Sequence, residues 1–253
     1  MTEPASSLVA YALGLGDDAL VLSHRLCEWA TLSPVIEEDV ALMNIALDLL
    51  GQARGLFAYA GDVEGHGRSE DDLAYLRQER DFTNLQITEL DNGDFAVTVA
   101  RQLLFSAYQC ELYDTLASSA DERLAAIAGK ARKETDYHRD HASAWVVRLG
   151  DGTDLSHEKV IAGLAAVWPY AGEMFRPDRR FDRLVAAGVA VDSASLEAPW
   201  LAFVSGVLRE ATLDVPETTW APGGGRQGIH TETFGYLLAE MQNLHRSFPG
   251  ATW

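Results

Sequence analysis

The sequence has almost none of the patterns that predict β-strands. Short alternating runs of β-branched residues bounded by turn dipeptides do not occur along its 253 residues. Helical periodicity recurs instead, and it predicts four long helices followed by three shorter ones. No internal repeat or shift in composition marks a boundary between domains. We therefore predict an all-α protein with a single domain over residues 1–253.

Basic residues are scarce relative to acidic ones. The chain has 20 Lys and Arg against 38 Asp and Glu, which gives a formal net charge of −18. Nucleic acids and anionic membrane surfaces are themselves negative, so this balance argues against both as partners. Two interpretations of the charge remain open: it keeps the protein in solution, or it attracts a basic partner such as a basic redox protein.

Cysteine is nearly absent, and so is any segment that would target or anchor the chain. Cys27 and Cys110 both lie in apolar helical context, which predicts reduced core thiols in a cytoplasmic protein. The N-terminus has no basic region followed by an apolar run, so we expect no signal peptide. The longest clean apolar run, about 160–172, is shorter than the roughly 20 residues that span a bilayer.

One predicted helix stands out, because residues 35–59 contain no proline and are apolar on nearly every side. A helix of that kind belongs inside a bundle. A narrow polar stripe interrupts it, formed by Asn44, Asp48 and Gln52 at intervals of four, with Gly51 beside it. A buried carboxylate needs a partner, so Asp48 either binds a metal or pairs with an arginine or the backbone.

Long helices with inward carboxylates and histidines suggest a ferritin-like di-iron bundle, whose signature includes Glu-x-x-His on two of its helices. That motif is missing from the predicted bundle. Among the seven histidines only His157 follows an acidic residue by three positions, Asp154, and this pair lies where a loop enters a helix. Glu134, His138 and His141 share one helix face. They form either a metal site or a core histidine bonded to a nearby carboxylate.

Other catalytic patterns are weak. The segment Gly223-Gly224-Gly225-Arg226 is rich in glycine, but no strand precedes it and no Gly-Lys-Ser/Thr follows, which argues against a phosphate-binding loop. A cysteine–histidine nucleophile has no support beyond the presence of both residue types. The last predicted helix has an apolar stripe that predicts packing onto the chain's own core. The stripe consists of Phe234, Leu237, Leu238, Met241 and Phe248.

Several segments resemble the C-subunit family of the bacterial ring-1,2-phenylacetyl-CoA epoxidases, the PaaC family. The segments are residues 44–54 (NIALDLLGQAR), 133–138 (KETDYH), 148–153 (RLGDGT), 230–232 (HTE) and 238–242 (LAEMQ). The resemblance covers nearly the whole chain, and each of these motifs is specific.

The resemblance implies a ferritin-like subunit of a multicomponent monooxygenase in aerobic phenylacetate degradation. In such complexes a catalytic A subunit holds the di-iron centre and a small B subunit joins the two larger chains. A separate reductase brings electrons from NADPH, and dioxygen epoxidises the ring of phenylacetyl-CoA. The C subunit keeps the fold, has lost the metal ligands and supports the catalytic subunit. The resemblance thus implies a cytoplasmic protein with these partners and with no catalytic residue, cofactor-binding residue or metal of its own.

The residues themselves are consistent with a degenerate metal site. In a Glu-x-x-His motif the histidine occupies the fourth position, which we call the histidine place. Gly51 occupies it in a motif that begins at Asp48, and Tyr137 occupies it in a motif that begins at Glu134. His138 comes one residue late. A one-residue slip rotates a side chain by about 100° around a helix, which takes it off a shared metal.

Other functions remain open. One is an active di-metal carboxylate oxidase that uses Asp48, Glu111, Glu134 and His138, and another is a stand-alone four-helix binding or storage protein. If the chain is a scaffold, we expect it to dock through its first three predicted helices. The reason is that the second of these is apolar on more faces than its own core requires.

Overall fold

The computed structural model describes residues 3–251, and within that range the regular secondary structure is helical, without a β-strand. The predicted all-α, ferritin-like class is confirmed, as are the additional helices in the C-terminal part. The α-helices are α1 (Glu3–Cys27), α2 (Ile36–Glu64), α3 (Glu70–Tyr75), α4 (Gln86–Glu89), α5 (Phe95–Leu116), α6 (Glu122–Gly150), α7 (Asp154–Val167), α8 (Asp182–Ala186), α9 (Glu197–Glu210) and α10 (Phe234–Ser247). Short 3₁₀ helices cover Glu79–Asp81, Trp168–Phe175, Arg179–Phe181, Ser193–Leu196 and Gly225–Gln227.

The contacts divide the chain into two compact units. The first unit contains the residues up to Asp91 together with those from Gly224 onward, and the second contains Asn92–Gly223. The assignment of a single domain over residues 1–253 stays a prediction. Each unit is built on an antiparallel pair of long helices, α1 with α2 in the first and α5 with α6 in the second.

Helix ends follow the sequence signals closely. Asp121 is a typical N-cap residue and caps α6, because its carboxylate accepts hydrogen bonds from the backbone N–H groups of Arg123 and Leu124. Asp94 caps α5 in the same way. A proline inside a helix ends or kinks it, and α7 stops at Val167, two residues before Pro169, where a 3₁₀ helix begins.

In the first unit α1 is continuous through the segment 14–17, although its two glycines, Gly14 and Gly16, are residues that often break a helix. Gly16 lies against the ring of Phe57 on α2, and a Cβ there would come within 2.5 Å of it. The Ser23 hydroxyl donates to the Ala46 carbonyl at 2.7 Å, which joins the same two helices further along. Gly16 therefore serves close helix packing and does not mark a turn.

Buried ion pairs hold α1 to the rest of the first unit. The guanidinium of Arg77 contacts both carboxylate oxygens of Asp17. Arg226 donates to both oxygens of Asp18, at 2.6 and 3.2 Å, and also to the carbonyls of Gly14 and Thr83. These pairs were not predicted from the sequence, and they explain how two adjacent aspartates can lie inside an apolar helix.

A second polar cluster joins α4 to the C-terminal part of the chain. The buried Glu89 carboxylate accepts hydrogen bonds from the Asn84 side chain, the backbone N–H of Thr231 and Nδ1 of His230, the last at 2.8 Å. The other ring nitrogen of His230 lies 3.1 Å from the carbonyl oxygen of Phe82. The C-terminal segment is thereby tied by side-chain hydrogen bonds to the middle of the chain.

Helix α10 packs its apolar stripe onto the first unit, as predicted. Phe234, Leu237, Leu238 and Met241 are buried. Phe248 was assigned to the same stripe, and that assignment is wrong, because α10 ends at Ser247 and the residue Phe248 is 58% exposed.

By length and composition, the spans Ala5–Cys27 and Ile36–Glu64 are apolar enough to cross a membrane. Core helices of globular proteins have the same properties, so this observation carries little weight. Helix α1 also carries Asp17, Asp18 and Arg25, which are buried against charged or polar partners of the first unit. We interpret α1 as a core helix.

The Asp18–Arg226 pair predicts a pH dependence of stability. Burial raises the pKa of Asp18 from 3.8 to about 6, and the charge of Arg226 only partly opposes that shift. The folded state therefore binds this proton more tightly than the unfolded chain, so stability from this group is present below pH 4 and is lost as the pH rises through 6. A shift of this size corresponds to about 3 kcal/mol.

The parent chain should lose up to about 3 kcal/mol of its free energy of unfolding between pH 4 and pH 7 through this group. Asp18→Asn should not show that loss, because the asparagine cannot ionise. The free energy of unfolding of the variant should therefore rise relative to that of the parent chain as the pH rises from 4 to 7. Denaturant unfolding at the two pH values measures the difference. The control is Asp151→Asn at an exposed position. If the free energies of unfolding of the variant and the parent chain differ by the same amount at both pH values, the expectation is contradicted.

The second unit is organised around α5, most of which is buried. The Trp200 indole N–H on α9 donates to the Leu104 carbonyl at 2.9 Å. Gly163 on α7 lies against the backbone of Ala96, where a Cβ would approach within 2.9 Å. Helices α6, α7 and α9 thus all pack on the same central helix.

Candidate functional site

Asp48 and Gly51, the candidate positions on α2, are only partly enclosed by the first unit. Asp48 is half-buried rather than fully buried, Asn44 is exposed and Gln52 is buried. The polar stripe therefore does not have a uniform environment. Gly51 is exposed, and a Cβ built on it meets no atom within 4 Å beyond its own helix backbone. The residue in the histidine place thus supplies no donor atom.

The candidate residues on α6, in the second unit, point in different directions around the helix. His138 is 1% exposed, whereas Tyr137, which stands in the histidine place, is 49% exposed. Glu134 is half-buried and lies 3.7 Å from the ammonium of Lys130 one turn earlier. The ring of His141 lies 6.1 Å from that of Tyr137, centroid to centroid. The slip of one residue therefore directs Tyr137 outward and His138 inward.

If Asp48 and Glu134 hold no metal, their charges need protein partners, and the sequence suggests Arg54, Arg101 and Arg132. Two of these arginines have other contacts. Arg54 forms an ion pair with Glu70 at 2.7 Å, and Arg132 forms one with Asp114 at 2.5 Å. The suggestion is wrong for these two arginines, whose carboxylate partners lie elsewhere on the same unit. Arg101 is buried and donates to the Asn92 side chain at 2.6 Å.

The donor set does not match a di-iron centre. Within residues 3–251 there is no group of three or more His, Cys, Asp and Glu side chains that could hold a metal ion. Glu111, a member of the alternative ligand set, is half-buried on α5. His157, the histidine with an acidic residue three positions earlier, instead uses Nδ1 to contact the Gly150 carbonyl at 2.6 Å.

The cysteines differ from each other. Cys27 was predicted to be a core thiol, and this is wrong: it is exposed at the end of α1. Cys110 is buried on α5, with its sulfur 3.8 Å from a carboxylate oxygen of Asp136. Burial is the main cause that raises the pKa of Cys110 to about 11, so this thiol is protonated at neutral pH and is a poor nucleophile.

The glycine-rich segment has a structural use. Gly225 lies against the backbone of Asn84, where a Cβ would be only 2.1 Å from the carbonyl oxygen. This close approach brings Arg226 to Asp18, which occupies the guanidinium. That the segment does not bind phosphate stays a prediction.

Two comparisons with known proteins show what the whole chain is similar to. The model of the phenylacetic acid catabolic protein family, which covers PaaA and PaaC, matches residues 1–253. A relative from Escherichia coli K12, the C subunit of 1,2-phenylacetyl-CoA epoxidase, is 46% identical over 248 residues. The matched region covers 98% of this chain and 100% of the relative.

Proposed function

This chain belongs to the phenylacetic acid catabolic protein family, and on that premise we propose that it is the non-catalytic structural subunit of a phenylacetyl-CoA 1,2-epoxidase complex. Its partners would be a catalytic A subunit that carries the di-iron centre, a small B subunit and, during turnover, the reductase of the system. We assign it to the cytoplasm. It would hold the partner's helices in place, which matters because metal ligands must stay within about 0.5 Å of working geometry.

The residues at the degenerate positions support a role without chemistry. A di-iron bundle needs donor atoms from Glu-x-x-His motifs on two helices. Here one histidine place is Gly51, which has no side chain, and the other is Tyr137, whose ring is directed toward solvent. The protein residues at these places therefore do not form the donor set that two iron ions require.

The observation that carries the proposal is an exposed apolar seam on α2, which we call the α2 seam. It consists of Ile36, Val40 and Leu47, which are 74%, 57% and 64% exposed. The spacings of four and seven residues put these side chains on one face of the helix. Leu32 and Val35, just before α2, are exposed as well. A row of exposed apolar side chains on one helix face is typical of a protein–protein interface.

The experiment is co-expression with the catalytic A subunit, followed by size exclusion with light scattering and metal analysis of each chain. We expect the two chains to co-elute. The present chain, purified alone, should hold far less than one iron ion per molecule. Near-stoichiometric iron in this chain would favour the di-metal oxidase. Separate elution at micromolar concentration, with full turnover by the A subunit alone, would favour a stand-alone protein.

A second test replaces Asp48 with asparagine. Asp48→Asn should change the stability of this chain more than it changes the activity of the assembled enzyme.

A further inference from the structure

The second unit contains a groove that the proposed function does not use. It lies between one face of α7 and the segment that follows α9, and its volume is about 320 Å³. We call it the α7 groove. Its lining includes Ile161, Leu164, Ala165, Leu213, Asp214 and Glu217.

Both walls of the α7 groove are fixed to one carbonyl group. The Gly150 oxygen lies 2.6 Å from Nδ1 of His157 on α7 and 3.3 Å from the hydroxyl of Thr212 on the other wall. Gly150 has no room for a side chain, since a Cβ would be 2.2 Å from the Ala211 carbonyl oxygen. Thr212 has φ 59°, and the N–H of Leu213 bonds back to Leu208, which turns the chain sharply at the end of α9. The groove is therefore formed by constrained backbone.

The chemistry of the α7 groove combines an apolar floor with a negative rim. Leu164 and Leu213 are buried at the floor, and Ile161 is exposed at the mouth. On the rim, Asp214 and Glu217 are exposed and have no ion-pair partner among the residues that the structure describes.

The side chain of His157 adds an acceptor to the α7 groove. Because Nδ1 of His157 donates to the Gly150 carbonyl, the neutral ring leaves Nε2 as an acceptor.

The chain segments that flank the groove carry more acids than bases. The residues 151–161 and 209–217 each carry three acids and one base. One of those bases, Lys159, is already paired with Asp94 at 3.2 Å. Both flanking segments are therefore negative overall, and of their acids Asp214 and Glu217 line the groove itself.

We propose that the α7 groove binds a basic segment of another polypeptide, in which a lysine or arginine lies next to an apolar side chain. The aliphatic stem of such a cation would lie along the apolar floor while its charged end reaches the carboxylates of Asp214 and Glu217. A volume of about 320 Å³ accommodates two side chains of this size. An acyl-CoA or another phosphate ligand would meet only negative charge at this rim.

The test uses the full chain and three peptides: acetyl-Leu-Lys-Leu-amide and the same peptide with glutamate or norleucine in place of lysine. Binding is followed by NMR through the ring signals of His157 at pH 8. We expect the lysine peptide to bind at least about tenfold more tightly than either other peptide, which is about one unit in log Kd. The advantage should shrink at high salt.

Variants separate the groove from general charge effects. Asp214→Asn with Glu217→Gln should remove most of the preference for lysine, and Ala165→Trp should block all three peptides. Asp151→Asn with Glu158→Gln is the matched control, because it removes the same charge from nearby exposed positions outside the lining. Equal binding of the three peptides, or an equal effect of the control pair, would overturn the proposal. Binding of n-hexylamine as tight as that of the lysine peptide would also overturn it, in favour of a small-molecule amine.

Discussion

Ending the chain after Gly223 will give insoluble protein, whereas ending it after Ser247 will give a folded one. The longer deletion removes α10, which buries Phe234, Leu237, Leu238 and Met241 in the first unit. Full burial of such side chains stabilises by about 1.5–3 kcal/mol each, or roughly 6–12 kcal/mol together. That is comparable with the whole stability of a typical domain, about 5–15 kcal/mol.

The same deletion also leaves buried charges without partners. Asp18 loses Arg226, and Glu89 loses both His230 and the backbone N–H of Thr231. An uncompensated buried carboxylate costs several kcal/mol, so the loss of these partners adds to the loss of apolar burial. The first unit therefore depends on a segment that the chain supplies only at its end.

Expression level in the soluble fraction and circular dichroism of the two truncated chains measure the effect. The chain that ends after Ser247 is the matched control, since it removes the exposed Phe248 and leaves α10 intact. Phe234→Ala in the full chain provides a milder version, expected to cost about 3–5 kcal/mol. Soluble, cooperatively unfolding protein after the longer deletion would show that α10 is not part of the core.

Helix positions and helix caps could be predicted from the sequence because they depend on local signals. The apolar spacing of α10, the Asp121 cap of α6 and the break at Pro169 all lie within a few residues of their effects. The Asp17–Arg77 and Asp18–Arg226 pairs could not be predicted in this way. Their partners lie 60 and 208 residues apart in the chain, and no local pattern fixes such a distance.

The candidate site was predictable in part. The rotation of 100° per residue correctly separates Tyr137 from His138, because a regular helix fixes that angle. The burial of α2 was overestimated, because periodicity reports where apolar side chains point and not what covers them. The Asp17-Asp18 pair within the apolar run of α1 is a sequence signal of buried ion pairs, since an uncompensated buried carboxylate is costly.

The overestimated burial of α2 leads to the second large effect. The α2 seam has apolar side chains at Ile36, Val40 and Leu47 that the chain itself does not cover. Exposed apolar groups of this size cost little in the isolated chain and gain much when a partner helix removes them from water. If the scaffold proposal holds, these positions should be central to the interface with the catalytic subunit, which we expect to bury well over ~1,200 Å².

Replacing Val40 and Leu47 with glutamate should therefore separate this chain from the catalytic subunit without unfolding it. Each substitution places a charge in a desolvated contact, and a loss of about 2 kcal/mol per position would weaken the Kd roughly 1,000-fold. The mass that light scattering gives for the mixed subunits should fall to that of the separate chains, and the epoxidation rate of the mixture should fall with it. The melting temperature of the isolated variant should stay close to that of the parent chain. The matched control is Leu155→Glu with Leu201→Glu, which adds the same charge at apolar positions exposed on the second unit. If the control pair dissociates the complex equally well, or if the α2 variant still co-elutes at full activity, the seam is not the docking surface and the catalytic subunit must be held elsewhere.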